Sequence, residues 1–300
     1  MPQITTVLAP IDFSDSSVHA LEYAMALAKW YGARLVGVHA YTPIFLPVPG
    51  LGTAGYDGPP MPDADMIKQM EQEVWAALDK ARAAGLKTEV RIEAGPAPAV
   101  ILGCARALSA DAIVMGTHGA GGFEHLMLGS VAERVLRKAT CRVMTVPPRA
   151  RATSTLPFRR VLCPVDFSDP SRAALQFALS MAQKADAELT ILHVLDWPVE
   201  IEPMAHRSFS VPEYSRLREE DAEARLAELA TESARNGHIV KTALTHGKPY
   251  REILGVGTRL GIDLIVMGVQ GRNALDVMLF GSTTNQVVRM ATCPVLTLRH

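Results

Sequence analysis

Short apolar runs of strand length alternate with longer amphipathic stretches along the chain, and the whole series occurs twice. In the first half the pattern predicts strands near 4–10, 33–39, 87–93, 111–116 and 142–146, and helices near 15–31, 64–84, 97–108 and 130–139. In the second half it predicts strands near 159–165, 187–194, 238–244, 262–268 and 294–298. Because nearly all the strands are apolar, we expect an α/β fold whose parallel sheets carry helices on both faces.

The repeat extends to matching blocks of sequence. LAPIDFSD at 8–15 matches LCPVDFSD at 162–169, and ATCRVMTV near the end of the first half matches ATCPVLTL at the end of the second. A length of 300 residues is typical of two domains of about 150 residues each. We therefore predict a first domain at 1–149, a polar linker at 150–156 and a second domain at 157–300.

Two irregular regions, 41–65 and 196–212, interrupt the repeat; the first is dense in proline and glycine, and the second is its counterpart. Loops of this length are uncommon inside compact domains. They are interpreted either as mobile surface inserts or as lids and partner-binding surfaces, and the pattern leaves both open.

Composition limits the function classes. Hydrophobic residues make up 48%, charged residues 20%, and the net charge is -1, so no basic surplus favours nucleic acid or an anionic membrane. The first residues lack a signal-peptide pattern and no run is long enough to span a bilayer, so a soluble cytoplasmic protein is expected. The four cysteines form no CxxC pair and are interpreted as buried structural residues.

One glycine-serine spacing recurs in both halves. Gly116, Gly119, Gly129 and Ser130 match Gly268, Gly271, Gly281 and Ser282, with two residues and then nine between the glycines. Such glycines, after a strand and before a helix, can adopt positive φ, can expose backbone N–H groups to a ligand and can present a helix N-terminus to phosphate. The alternative is structural, because Ser130 with Glu133, and Thr283 with Gln286, have the spacing of a capping box. The loop lacks both the Walker A lysine and the GxGxxG pattern.

An Asp-Phe-Ser sequence follows the first predicted strand of each half. Asp12 and Asp166 are candidates for hydrogen bonds to a ribose or a base, while helix capping by Asp12 and Ser14 is the competing interpretation. His39 and His193 are interpreted as structural histidines with satisfied hydrogen bonds. His118 lies between the glycines, but its counterpart is Gln270, so a shared catalytic histidine is not expected.

Together, the Asp-x-Ser after the first strand, the G-x2-G-x9-G-S spacing and the closing ATCPVLTL strand resemble the universal stress protein family in its tandem-domain form. The resemblance covers nearly the whole chain. It implies two Rossmann-like, adenine nucleotide alpha hydrolase-like domains, each a five-stranded parallel sheet with helices on both faces. Family members with intact glycine signatures bind ATP, so the resemblance implies two adenine nucleotide sites.

By motif position, the resemblance places Asp12 on the ribose, Ala40 near the adenine, and Gly129, Ser130 and Val131 on the phosphates. The full set of cofactor-binding residues that it implies is Pro10, Asp12, Ala40, Met115, Gly116, Gly119, Gly129, Ser130 and Val131 in the first half, and Pro164, Asp166, Val194, Met267, Gly268, Gly271, Gly281, Ser282 and Thr283 in the second. Many family loops carry a basic residue after the second glycine, as Arg272 does, but the first half has Ala120. We therefore expect the two sites to bind phosphate with different strength.

The terminal strands resemble those through which family domains pair, which implies an internal pseudo-dimer of the two halves and allows a further homodimer. Without an evident catalytic base and its orienting partner, the leading hypothesis is a stress-response sensor or regulator that binds ATP. The first alternative is a slow ATPase in which Asp12 and Asp166 help to hold Mg2+. The second is a scaffold whose inserts bind a protein partner while ATP stabilises the fold.

Overall fold

The protein is described by a computed structural model that covers residues 4–42, 64–118, 128–151, 158–196, 211–235, 237, 239–269 and 281–299. The glycines Gly119 and Gly271, the loop residues Ala120, Gln270 and Arg272, and most of the two inserts lie outside the described residues.

The predicted alternation of strands and helices is confirmed, with ends that differ by a few residues. The first half contains β1 (Thr6–Pro10), α1 (Asp15–Tyr31), β2 (Arg34–Tyr41), α2 (Ala64–Ala77), α3 (Asp79–Ala83), β3 (Thr88–Ala94), α4 (Ala97–Ala107), β4 (Ala112–Gly116), α5 (Ser130–Lys138) and β5 (Arg142–Val146). The second half contains β6 (Arg160–Pro164), α6 (Asp169–Ala185), β7 (Glu188–Leu195), α7 (Val211–Arg235), β8 (Val240–His246), α8 (Pro249–Arg259), β9 (Leu264–Gly268), α9 (Ser282–Met290) and β10 (Val295–Leu298). The single helix predicted at 64–84 is divided at Leu78, whereas its counterpart α7 is continuous.

Within the described part of the chain, the strands form one sheet in the order β3-β2-β1-β4-β5-β10-β9-β6-β7-β8. All pairings inside each half are parallel, and β5 pairs with β10 in the antiparallel direction. Two buried threonines add reciprocal bonds at this junction, because Thr145 Oγ1 donates to the Val295 carbonyl (3.3 Å) and Thr297 Oγ1 donates to the Val143 carbonyl (3.1 Å). The antiparallel junction turns the carboxyl ends of the two sets of strands toward opposite edges of the sheet.

Helices cover both faces of the sheet, as the apolar strands predicted. One buried cluster joins the sheet to α1, α2, α3, α6 and α7, and it runs across both halves. A second cluster on the other face joins it to α4, α5, α8 and α9. The described helices include none that is long and apolar enough to cross a membrane.

The cysteines occupy structural positions, as predicted. All four are free thiols; Cys104, Cys163 and Cys293 are buried and Cys141 is half-buried. Burial raises the pKa of Cys293 to about 12, and burial together with a hydrogen bond to Glu93 raises the pKa of Cys104 to about 12. Because the thiolate is the reactive form, these thiols are inert near neutral pH.

Candidate functional site

The candidate sites lie where the strand order reverses within each half. β1 pairs with β2 on one side and with β4 on the other, and β6 pairs with β7 and β9 in the same way. Chain connections leave in opposite directions at such a point, and ligands of open α/β sheets bind there, outside the carboxyl ends of the strands. Asp12 and Gly116 lie at this edge in the first half, and Asp166 and Gly268 lie at it in the second.

The Asp-Phe-Ser turn after β1 has a strained backbone. Phe13 has a φ of 61°, a left-handed conformation that is unfavourable for a residue with a Cβ atom. The Asp12 carboxylate accepts hydrogen bonds from the backbone N–H of Ser14 (3.1 Å) and from the Ser14 hydroxyl. Ser14 is in turn the N-cap of α1, and its Oγ accepts from the Ser17 N–H (3.2 Å). Of the two residues considered as caps, Ser14 has that role and Asp12 supports it.

The second half repeats this turn closely. Phe167 has a φ of 64°, Asp166 accepts from the backbone and hydroxyl of Ser168, and Ser168 is the N-cap of α6. A non-glycine residue that keeps an unfavourable conformation in both copies is typical of a functional turn. The sequence showed the phenylalanine in both copies, but it gave no indication of its backbone conformation.

The two histidines have satisfied hydrogen bonds, as predicted. His39 Nδ1 lies 2.7 Å from the carbonyl oxygen of Ile11, and His193 Nδ1 lies 2.7 Å from that of Val165. Because a carbonyl only accepts, Nδ1 carries the proton in both rings. The His39 ring packs against Phe13, and the His193 ring packs against Phe167, so each histidine supports the strained turn.

The first glycine of each signature has a structural reason that the spacing did not reveal. A Cβ atom at Gly116 would lie 2.2 Å from Ser16 Oγ and 2.9 Å from the Ser16 carbonyl oxygen. At Gly268 it would lie 3.0 Å from the carbonyl oxygen of Pro170, which is the counterpart of Ser16. The first turn of α1 or α6 therefore packs closely on the last residue of β4 or β9, and glycine leaves room for that approach.

Glycine permits positive φ, but the described glycines of the signature do not adopt it: Gly129 and Gly281 have φ of -58° and -56°, and Gly116 and Gly268 also lie outside the positive region. The structural alternative, capping boxes at Ser130 and Thr283, is wrong, because α5 begins at Ser130 and α9 at Ser282 and the N-cap residues are the glycines before them. Both serines are exposed.

Backbone bonds fix where these helices begin. Gly129 N–H donates to the Thr117 carbonyl (2.8 Å), and Gly281 N–H donates to the Val269 carbonyl (3.0 Å). These bonds hold the N-terminus of α5 beside Thr117, the residue that follows β4, and the N-terminus of α9 beside Val269, the residue that follows β9. A glycine N-cap has no side chain to accept the first N–H groups of the helix, and those groups carry the positive end of the helix dipole. This arrangement can bind an anion at the edge where Asp12 or Asp166 lies.

The remaining candidate residues line the same edge. Pro10 and Pro164 end β1 and β6, and Ala40 and Val194 lie near the ends of β2 and β7. Met115 and Met267 are buried in the cluster beneath α4, α5, α8 and α9, and the half-buried Val131 packs against the same cluster. Thr283, in the first turn of α9, is half-buried. The described candidates of each half thus come from adjacent strands and one helix start.

A sequence model of the universal stress protein family matches the chain twice, at residues 3–147 and 157–299. A universal stress protein of Mycolicibacterium smegmatis is 26% identical over 306 residues, which covers 98% of this chain and 96% of the relative. The universal stress protein YxiE of Bacillus subtilis is 35% identical over 147 residues, 47% of this chain and 99% of that protein. A crystal structure of a universal stress protein from Archaeoglobus fulgidus superposes with a TM-score of 0.71 at 25% identity, covering 99% of this chain and 97% of that one. The chain belongs to the universal stress protein family.

Proposed function

We propose that each half binds one molecule of ATP and that the protein is a nucleotide-dependent stress-response sensor or regulator. The observation that carries this proposal is the pair of glycine-capped helix N-termini of α5 and α9, each held at the strand-order reversal. Their first-turn N–H groups suit a phosphate, since a helix N-terminus favours negative charge. The glycine N-caps Gly129 and Gly281 leave room for it, because neither carries a Cβ atom.

Residues at the same edge suit the rest of the nucleotide. Asp12 and Asp166 lie at the same edge, just beyond the ends of β1 and β6, where a carboxylate would accept from a ribose hydroxyl. Ala40 and Val194, half-buried on the strands next to those aspartates, provide apolar contact for a base. The nucleotide roles of Pro10, Met115, Val131, Pro164, Met267, Ser130, Ser282 and Thr283, and of Gly119 and Gly271 outside the described residues, remain part of this proposal.

Equilibrium binding of labelled ATP to the purified chain tests the proposal. Gly129→Val together with Gly281→Val places a branched side chain at both helix starts, so binding should fall below detection. Gly103→Val together with Gly255→Val is the matched control. These glycines occupy equivalent positions in the middle of α4 and α8, where an added Cβ meets nothing within 4 Å. Full binding by a folded Gly129→Val, Gly281→Val protein would contradict the proposal.

Mass spectrometry of the small molecules released from freshly purified and then denatured protein adds a test that assumes no ligand. ATP, at up to two molecules per chain, is the expected result. A different nucleotide, recovered reproducibly, would replace ATP in the proposal.

Slow Mg2+-dependent ATP hydrolysis is the second candidate, and the carboxylates of Asp12 and Asp166 at the same edge favour it. Magnesium commonly combines one or two carboxylates with substrate oxygens. Hydrolysis that needs Mg2+ and is lost in Asp12→Asn plus Asp166→Asn, while ATP still binds, would support this activity. Turnover no faster than in buffer would exclude it.

We further propose that the domains at 1–149 and 157–300, joined by the linker at 150–156, form an internal pseudo-dimer. The family-model matches and the antiparallel pairing of β5 with β10 support this division. Sedimentation of the purified chain tests whether it remains a monomer or forms the further homodimer that the resemblance allows.

A further inference from the structure

His118, two residues beyond the end of β4, forms a side-chain pair with the residue before it. Its Nδ1 atom lies 2.9 Å from Oγ1 of Thr117. Thr117 is buried and His118 is half-buried. The second half has no equivalent pair, since the counterparts by sequence are Val269 and Gln270. The pair therefore distinguishes the first candidate edge from the second.

The backbone places this pair directly at the start of α5. The Thr117 carbonyl accepts the hydrogen bond from the Gly129 N–H (2.8 Å), and Gly129 is the N-cap of α5. The peptide group that joins Thr117 to His118 therefore lies against that N-cap. His118 is thus adjacent to the helix N-terminus that is proposed to bind phosphate.

The side chains of the pair lie on the α5 face of the sheet. Thr117 continues the strand, because its N–H donates to the Val146 carbonyl of β5 (3.2 Å), and side chains alternate between the two faces along a strand. Met115, two residues earlier, is buried in the cluster that joins the sheet to α4 and α5. Val269, the counterpart of Thr117, is buried in the same cluster. The Thr117 hydroxyl, and the His118 nitrogen that it contacts, therefore lie on the side of α5.

A hydroxyl partner lets the His118 ring donate from Nε2. Thr117 Oγ1 can donate to Nδ1, which places the proton of the neutral ring on Nε2; when the ring is protonated, the hydroxyl accepts instead and Nε2 still donates. His39 and His193 differ, because their Nδ1 atoms donate to carbonyls and their neutral rings carry no proton on Nε2. Of these three histidines, His118 is the one that can donate from Nε2 in both ring forms, which is what a phosphate oxygen requires.

On the basis of the proposed nucleotide function, we propose that His118 is a phosphate-binding residue of the first half and that Thr117 positions its ring. Nε2 donates to a phosphate oxygen held at the N-terminus of α5, in addition to the N–H groups of the helix. The second half binds phosphate without this contact. Loss of the imidazole should therefore affect the first site and not the second.

Calorimetric titration of the full chain with ATP and with adenosine tests His118 in two backgrounds. Gly281→Val leaves the first site, and Gly129→Val leaves the second. With only the first site intact, His118→Phe keeps a ring and removes both nitrogens, so ATP binding should weaken about tenfold, as expected for one hydrogen bond to a charged group, while adenosine binding stays unchanged. With only the second site intact, the same substitution is the matched control and should leave ATP binding unchanged.

Thr117→Val tests the positioning role, because it gives the first half the residue that the second half has. It should weaken ATP binding at the first site by a smaller factor than His118→Phe and leave adenosine binding unchanged. Thr117→Ser keeps the hydroxyl and should restore ATP binding. In the double variant Thr117→Val, His118→Phe the two losses should not add, because the hydroxyl acts only through the ring.

The outcomes separate this inference from the function on which it rests. If His118→Phe leaves ATP binding at the first site unchanged, or if ATP and adenosine lose affinity together, His118 is not a phosphate-binding residue although the chain still binds ATP. Equal ATP losses in both backgrounds would contradict the inference too, since they indicate a general effect on the fold. If neither background binds any nucleotide, the proposed function is wrong, and this assignment with it. Unfolding temperatures verify that each variant is folded, and His118→Ala, with the same expected loss for ATP alone, replaces His118→Phe if the larger ring prevents folding.

Discussion

The two Asp-Phe-Ser turns share a backbone but differ in what covers them. Phe13 and Phe167 have φ of 61° and 64°, and both follow an aspartate that binds the N-cap serine. Arg225 covers Phe167, while the Phe13 ring is far more exposed. Because the strained conformation is the same with and without a buried ring, the hydrogen bonds of the turn and the start of the helix must fix it. The Phe167 ring contributes packing in the second half, whereas the Phe13 ring in the first half is largely exposed to solvent.

Replacing each phenylalanine with glycine gives the largest expected difference between the halves. Phe167→Gly loses a buried ring and its arginine contact, which outweighs the relief of left-handed strain, so the free energy of unfolding should fall by about 2–3 kcal/mol. Phe13→Gly loses little packing, and strain relief should balance the added entropy of the unfolded chain to within about 1 kcal/mol. Urea unfolding of both variants measures the difference. Equal losses would show that both rings are structural.

The glycines that end β4 and β9 provide a second comparison. Gly116→Ala brings a Cβ atom against both the hydroxyl and the backbone of Ser16, whereas Gly268→Ala meets Pro170 with slightly longer contacts. We expect both to be destabilised by about 1–3 kcal/mol through overpacking, with Gly116→Ala the more affected. Ser16→Ala should recover part of the Gly116→Ala loss, because it removes the nearest atom. Thermal unfolding of the single and double variants measures this recovery.

No recovery, or full stability of Gly116→Ala, would mean that the approach of α1 to β4 does not require the glycine. The packing explanation would then be wrong, and a ligand would become the main reason for the conserved spacing between the halves. The same measurement with ATP present shows whether binding and packing depend on the glycine separately.

The sequence was sufficient to predict nearly every strand and helix, because the apolar period and the repeat agree and each half constrains the other. It failed where a residue's role depends on a distant segment. Gly116 is required by Ser16, one hundred residues earlier in the chain, and the glycine spacing carries no trace of that contact. Arg225 on α7 meets Phe167, 58 residues earlier in the chain, and the sequence pattern does not specify that contact.

The capping-box interpretation is wrong for a related reason. Ser130 and Glu133 have the correct spacing, but the bond from Gly129 N–H to the Thr117 carbonyl starts the helix one residue earlier. Local spacing predicts which residues can cap a helix, while the tertiary bond decides where the helix begins. The pattern therefore predicted that these residues lie at the carboxyl ends of the strands, and it did not predict their backbone geometry.

At the opposite end of the strands, two equivalent aspartates differ in their pKa. Partial burial works to raise the pKa of Asp111, but bonds from the Thr5 N–H (2.7 Å), the Thr5 hydroxyl (2.8 Å) and the Thr6 N–H (3.1 Å) outweigh it, so the pKa lies below its usual value. Asp263 is more deeply placed, and burial raises its pKa although the N–H groups of Arg159 and Arg160 bind it. The first half gains a threonine hydroxyl that the second half lacks.

The direction of each pKa shift sets how the free energy of unfolding changes with pH, and we expect this effect to be the smallest. Asp111 contributes stability above its usual pKa of about 3.9 and loses it as the pH falls below that value, so Asp111→Asn should cost about 1–2 kcal/mol at pH 7.

Asp263 acts in the opposite direction. Because its pKa is raised in the folded state, the free energy of unfolding falls as the pH rises through that pKa. Acidification from pH 7 to about 4.5 should therefore favour the folded state through Asp263, and Asp263→Asn should remove that part of the pH dependence. Urea midpoints at both pH values measure it, with Asp111→Asn as the control that shifts stability without changing its slope over this range. A pH dependence that Asp263→Asn leaves intact would show that burial does not dominate its ionisation.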